Sequence, residues 1–303
     1  MQQIIANFSV LLAAPILNVG LLLDGLMIGA IFALAAYGLA LVWGVMNVKN
    51  LAQGDFIMIG GYLAWCLDQR GLHPMWAVPL AFLLLWVIGW CLYKSVIRNV
   101  ISRDLFTSLL ATFGIAIVIQ QGLNLAFGPN TQSAQADLPT WSFAGGLITV
   151  TGTRLFGLAL ALVLSVAVIV FMKNTRMGQA IRATAQDARA ARVLGINTER
   201  VYAFTFCLNA AICGAVGALV AMVWNIQPFM GTTYSIRLFV IVTAAGFGNL
   251  PGVIAAGFGM GVFEQFGGFI LGAQFQQALV VLLLLIVLAV RQIQQLSLRQ
   301  ALQ

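Results

Sequence analysis

Two carboxylates stand inside apolar stretches, Asp55 within Gln53-Gly54-Asp55-Phe56 and Glu264 within Val262-Phe263-Glu264-Gln265-Phe266. Ionisable groups are costly in hydrocarbon and mark solute or ion paths when they are kept there. Asp55 either accepts hydrogen bonds from backbone donors freed by a break in its helix or lines such a path, and Glu264 should face protein or water rather than lipid. Asn50, Gln53 and Asn249 flank two interruptions of apolar sequence, near 53–55 and 248–252, and join the carboxylates as path candidates. Short, broken apolar segments in matching places are the best sequence pointer to a substrate path. Arg237 reads as a side chain snorkelling from the outer end of its segment, and Asp24 as an interfacial residue.

A second set of residues lies in the charged stretch 173–200, which holds six of the fifteen Lys and Arg residues. From Gly178 to Leu194 it is rich in alanine and reads as one helix, with Gly195 and Asn197 as stop residues. At 100° per residue, Arg182 and Arg189 fall on nearly the same bearing and Arg192 within about 80° of them. Ala183, Thr184, Ala188 and Ala191 are small enough for another protein to approach closely, while arginines pair with its carboxylates. The alternative is a solvated loop that only fixes topology. Other chemistry lacks its residues. The three lysines, Lys49, Lys94 and Lys173, belong to no phosphate-binding loop. No paired carboxylates, nucleophile–base set or metal cluster stands out, which argues against an enzyme. The four cysteines sit in apolar runs and read as small buried hydrophobes.

The elements that must position these residues follow from composition. Of 303 residues, 61% are hydrophobic and 8% charged, against roughly 25% charged in soluble domains. The expected fold is an all-α polytopic membrane protein, one membrane domain over 1–303 with 8–10 transmembrane helices, some short or broken. Each needs about 20 apolar residues. The expected crossings are 20–43, 51–67, 75–93, 105–127, 155–172, 201–224, 236–247, 253–271 and 275–290, with 10–17 either interfacial or a further span. The first 48 residues hold no Lys or Arg, so the apolar start is expected to be retained rather than cleaved. Segment 128–153, rich in Gly, Thr and Ser, should be an external loop with a short hairpin. Nine crossings with the amino terminus outside put twelve of the fifteen Lys and Arg inside, following the positive-inside rule. Clustering by loop also argues against nucleic acid as the partner of the +7 net charge. Residues 23–37 and 208–222 share six of fifteen positions. In this topology the two helices run in opposite directions, as in an inverted repeat.

Ala190-Ala191-x-x-x-Gly195 resembles the Glu-Ala-Ala-x-x-x-Gly loop by which permeases of ABC importers grip their ATPases. Residues 47–62, read as Asn-x-x-x-Leu-Ala-Gln-Gly-Asp-Phe-x-Met-x-Gly-Gly-Tyr, and 246–252, Gly-Phe-Gly-Asn-Leu-Pro-Gly, are similar to elements of the branched-chain amino-acid (Liv-type) permeases, whose relatives carry urea and short amides. The resemblance runs from Leu23 to Val290 and is closest to the shorter of the two Liv-type permeases. Arg189 stands where the wider motif has Glu, and Gln53 and Asp55 replace the family's His and Glu. The resemblance implies a permease subunit in a bacterial inner membrane, paired with a second permease as a heterodimer, with two cytoplasmic ATPases and a periplasmic binding protein. It implies no cofactor bound by this chain, ATP being used by the partners. Gly178, Arg182, Arg189, Ala190, Ala191, Arg192 and Gly195 would then couple to the ATPase through the cytoplasmic loop 173–200. The competing expectation is an ion-coupled secondary carrier, with Asp55 or Glu264 as its proton or sodium site.

Overall fold

The computed structural model describes residues 2–101, 103–136, 138–143, 148–246 and 249–301. Helix α1 (Gln2–Ala13) stops before Pro15, whose missing N–H suits the first turn of a helix, so α2 runs from Pro15 to Met46. Residues 16 and 17 therefore belong to the long helix, and not to a separate segment over 10–17. Asn47, in the left-handed conformation at φ 51°, closes α2. A short coil leads to α3 (Gln53–Asp68). Next come α4 (Ala77–Leu92), a wide helical turn over Tyr93–Ile97, α5 (Arg98–Val100) and α6 (Leu105–Phe127). The strands β1 (Thr140–Phe143) and β2 (Ile148–Thr151) pair antiparallel, Thr140 opposite Thr151, and lead into α7 (Gly152–Asn174).

The charged stretch forms two helices, α8 (Arg176–Gln186) and α9 (Ala188–Val193), where a single one was expected. Asp187 between them is extended, and its carboxylate accepts from the N–H of Arg189 (2.7 Å) and of Ala190 (3.0 Å), so it starts a new helix. Then follow α10 (Thr198–Val223), α11 (Gly231–Ala245), α12 (Leu250–Leu271) and α13 (Gln276–Ala301). Within the turn at 246–252, Phe247 and Gly248 lie outside the described residues.

Among the described residues, eight helical segments are long and apolar enough to cross a bilayer. The chain is an all-α polytopic membrane protein with one small hairpin. Helix α3, at 16 residues, reaches only about 24 Å. The basic residues of 94–103 and 173–200 share one end of the bundle, its inner end, where Arg98 pairs with Glu199.

Helices α2 and α10 form the centre. Both are apolar all round, as helices enclosed by other helices are. They run antiparallel: Phe32 of α2 stacks on Trp224 just past the end of α10, at 5.8 Å between ring centres, while Gly38 lies against Asn209. Helix α2 packs on α12 and α10 on α4, in both cases at glycines. A Cβ on Gly29 would stand 2.8 Å from Cα of Phe258, and one on Gly214 would stand 2.6 Å from the carbonyl of Ala81. The echo between 23–37 and 208–222 aligns these two glycines. It also aligns Gly25, packed on Val262, with Ala210, packed on Gly89. Equivalent positions thus do equivalent work in α2–α3–α4 and α10–α11–α12, with the short helices α3 and α11 as counterparts.

Candidate functional site

The counterpart helices meet at their amino termini. The N–H of Gly54 donates to Ser235 Oγ (2.8 Å), whose own proton goes to the carbonyl of Leu51 (2.9 Å). Gly231, the first residue of α11, touches the carboxylate of Asp55 so closely that no side chain fits there. Asp55 is 1% exposed; Gln120 of α6 donates to its Oδ1 (2.9 Å) and also to Thr232 (3.2 Å), and Oδ2 has no partner. Two helix amino termini, each positive in partial charge, therefore converge beside one enclosed carboxylate.

Gln53 and Asn50 belong to the same junction and are fully buried. Gln53 Nε2 donates to Asn209 Oδ1 (2.7 Å) and its Oε1 accepts from Asn209 Nδ2 (2.8 Å), a reciprocal amide pair between α3 and α10. Asn50 Nδ2 donates to the same Oε1 (3.3 Å), and Asn50 Oδ1 accepts from the N–H of Ala52 (3.1 Å). These contacts fix the break before α3. Asn249 stands elsewhere, as the cap of α12, accepting from the N–H of Gly252 (3.1 Å).

Glu264 lies on the far side of α11. It pairs with Arg237 at 2.5 Å, the glutamate side chain 8% and the arginine 15% exposed. Arg237 thus does not snorkel: it is drawn inward by a buried carboxylate, and its guanidinium also lies 5.4 Å from the ring centre of Phe32 and 5.3 Å from that of Tyr234. The pair lines a cavity of about 310 Å³ with Ile28, Phe32, Trp224 and Tyr234. Asp24 likewise has a partner, Arg154 at 2.6 Å. Arg237 could have been found in the sequence, because Glu264 in an apolar helix needs a cation. Asn209 and Gln120 carry no such signal, being neutral and far away in sequence.

At the inner end, α8 packs against α2, α7 and α10. Gly178 rests on the backbone of Met172, and Arg182 donates to the carbonyl of Met172 at the end of α7. Arg182, exposed like Arg189 and Arg192, is thus tied to the end of α7 and stands on α8, while the other two stand on α9. Ile181 and Ala191 are buried beneath, while Arg189, Ala190 and Arg192 face outward beside Val193 and Leu194, which are 88% and 80% exposed. Gly195, at φ 85°, ends α9: its N–H reaches the carbonyl of Arg192 (3.0 Å), and that of Ile196 reaches Ala191 (3.0 Å). The carboxyl of Asp187 is held below the usual carboxylate range by the N–H groups of Ala190 and Arg189.

Comparison with known proteins agrees with this architecture. The family model described as branched-chain amino acid transport system / permease component matches residues 21–290. The branched-chain amino acid transport permease LivH of Salmonella typhimurium is 28% identical, covering 88% of this chain and 91% of its own. BraD of Pseudomonas aeruginosa is 26% identical over 89% and 92%. LivM of Escherichia coli is 26% identical over 75% of this chain and 59% of its own. PsaBC from Streptococcus pneumoniae, solved in complex with Fab, has the same fold at a TM-score of 0.51, with 12% identity, covering 87% of this chain and 89% of that one.

Proposed function

Because the chain belongs to the family of permease components of branched-chain amino acid transport systems, we propose that it carries branched-chain or similar hydrophobic amino acids across a bacterial inner membrane as one subunit of an ABC importer. It is a transport subunit and not an enzyme. In this reading it pairs with a second permease of the LivM kind, receives solute from a periplasmic binding protein and is driven by two cytoplasmic ATPases that use the ATP.

The observation that carries the proposal is the hairpin α8–α9. Its underside is buried against the ends of α2, α7 and α10, while its free face offers Arg189, Arg192 and the exposed apolar pair Val193 and Leu194. Exposed apolar residues beside arginines make a surface suited to another protein. Through the contact of Gly178 and Arg182 with the end of α7, a push on this face reaches the bundle. The two short helices, which meet inside the bundle and need not span it, supply the elements that could reorient in alternating access.

The test is L-leucine uptake by proteoliposomes holding both permeases, the ATPases and the binding protein. Uptake should require ATP. Arg189→Glu combined with Gly195→Pro should lower both ATPase co-purification and uptake by about tenfold or more, the charge reversal removing a desolvated pairing partner. Uptake that persists without ATPase subunits, driven by a proton or sodium gradient, would overturn the reading.

A further inference from the structure

The cavity beside α11 holds one buried charge of each sign. Arg237 and Glu264 face each other across 2.5 Å, yet Arg237 Nε and Glu264 Oε2 have no hydrogen-bond partner. A buried ion pair repays its desolvation only when its remaining donors and acceptors are satisfied. Here both atoms are buried and unsatisfied, in two residues that line a space of about 310 Å³, the size of a small-molecule pocket and of roughly ten waters.

We propose that this cavity is a subsite for one α-amino acid bound as its zwitterion, with Arg237 holding the carboxylate, Glu264 the ammonium group, and Phe32, Trp224 and Ile28 the apolar side chain. The assignment rests on the transport reading above and goes beyond it in naming the residues. Charge balance is its foundation. When a zwitterion enters, the Arg237–Glu264 contact opens and each side chain exchanges its protein partner for the ligand group of opposite sign. The enclosed charge sums to zero before and after. A ligand with only a carboxylate or only an amine would leave one side chain buried with its charge unmatched, which is strongly unfavourable. Arg237 is already anchored over the rings of Phe32 and Tyr234, so it need not be held by Glu264 while the pair is parted. Phe32 and Trp224, stacked on each other, form a rigid apolar wall on the same side. The Asp55 junction lacks this combination: it holds a carboxylate without a cation, and Gln53 and Asn50 are enclosed.

The experiment uses the complete importer in nanodiscs without its binding protein, and follows equilibrium binding of radiolabelled L-leucine. Unlabelled L-leucine should compete, whereas L-leucinamide, which lacks the carboxylate, and 4-methylpentanoate, which lacks the ammonium, should each need about a hundredfold more. Glu264→Gln and Arg237→Met should each weaken binding by more than about tenfold. Should these variants fail to assemble, Phe32→Leu and the two analogues against the unaltered protein still decide the matter. Competition by either analogue within tenfold of leucine, or unaltered leucine binding in Glu264→Gln, would show the ion pair to be only a latch between α11 and α12. Absence of leucine binding in an assembly that still imports leucine with ATP would overturn the subsite alone. Zwitterion-selective binding in an assembly whose import proves independent of ATP would support the subsite and overturn the ABC reading.

Discussion

Asp187 decides the shape of the inner hairpin. In an alanine-rich stretch helix propensity favours continuation, but an aspartate that accepts from the next two free N–H groups starts a helix instead. Its carboxyl is depressed in the folded chain by the N–H groups of Ala190 and Arg189. A depressed group stabilises above its unfolded pKa, about 3.9 for aspartate, and that contribution disappears as pH falls through the lower folded value. Amide exchange at Arg189 and Ala190, corrected for intrinsic rate, should therefore stay constant from pH 5 to 8. Asp187→Ala should speed it roughly three- to tenfold over this range. Gln53 poses the opposite case, a fully buried side chain whose partner Asn209 would be stranded by its loss. Gln53→Leu should destabilise the protein by about 1–3 kcal/mol, with part recovered in Gln53→Leu/Asn209→Leu, because removing both partners is cheaper than removing one. Thermal unfolding in detergent distinguishes the single from the double variant. Sequence marked Gln53 as polar within an apolar segment, but its reciprocal pairing across 156 positions depends on tertiary proximity that spacing does not encode.

The repeat organises the helices, and it was only partly legible. The spans themselves follow from hydropathy, and the breaks from Asn47, Gly128, Gly246 and Gly272, whose positive φ angles end α2, α6, α11 and α12. The echo of 23–37 in 208–222 indicated the two central helices, yet identity alone could not separate shared ancestry from shared alanine content. Structure separates them, since Gly29 and Gly214 each admit a backbone at a corresponding place. Membrane helices gain close packing from such residues. Gly29→Ala has no room, Gly257 and Phe258 presenting backbone atoms at 2.7 and 2.8 Å, and should cost about 1–3 kcal/mol as α2 and α12 are forced apart. Gly44→Ala in the same helix meets nothing within 4 Å and should stabilise by up to about 1 kcal/mol. Melting temperatures of the two single variants should move in opposite directions; a shift of the same sign would show that the glycine contacts do not bear on stability.

At the scale of the molecule, charge is sparse because the interior is a membrane bundle, and eight of the 23 charged residues lie within 173–200. The most exposed apolar segments are α6, α7 and α13, the surfaces available to lipid and, in the proposed importer, to the second permease. The polar surface that remains is divided between two ends. At one, the backbone of Gln132 and Ala134 pairs with that of Ile226 and Ala221, so the loop before the hairpin braces the linker that lines the Arg237 cavity. At the other, α9 presents its arginines beside Val193 and Leu194. Positive residues are retained on the cytoplasmic side, so these ends should lie on opposite faces of the membrane. Asn130→Cys, exposed before the hairpin, should react with a membrane-impermeant maleimide in intact spheroplasts, and Val193→Cys only in inside-out vesicles, each with about a tenfold preference. The native thiols are the background, and of them Cys91 is exposed only within the span of α4. If Val193 forms part of a docking face, its thiol should become protected when the ATPase subunits are present, while that of Asn130 should not. Equal labelling of both sites from one side would require an even number of crossings between 130 and 193, and would exclude α7 as a single span.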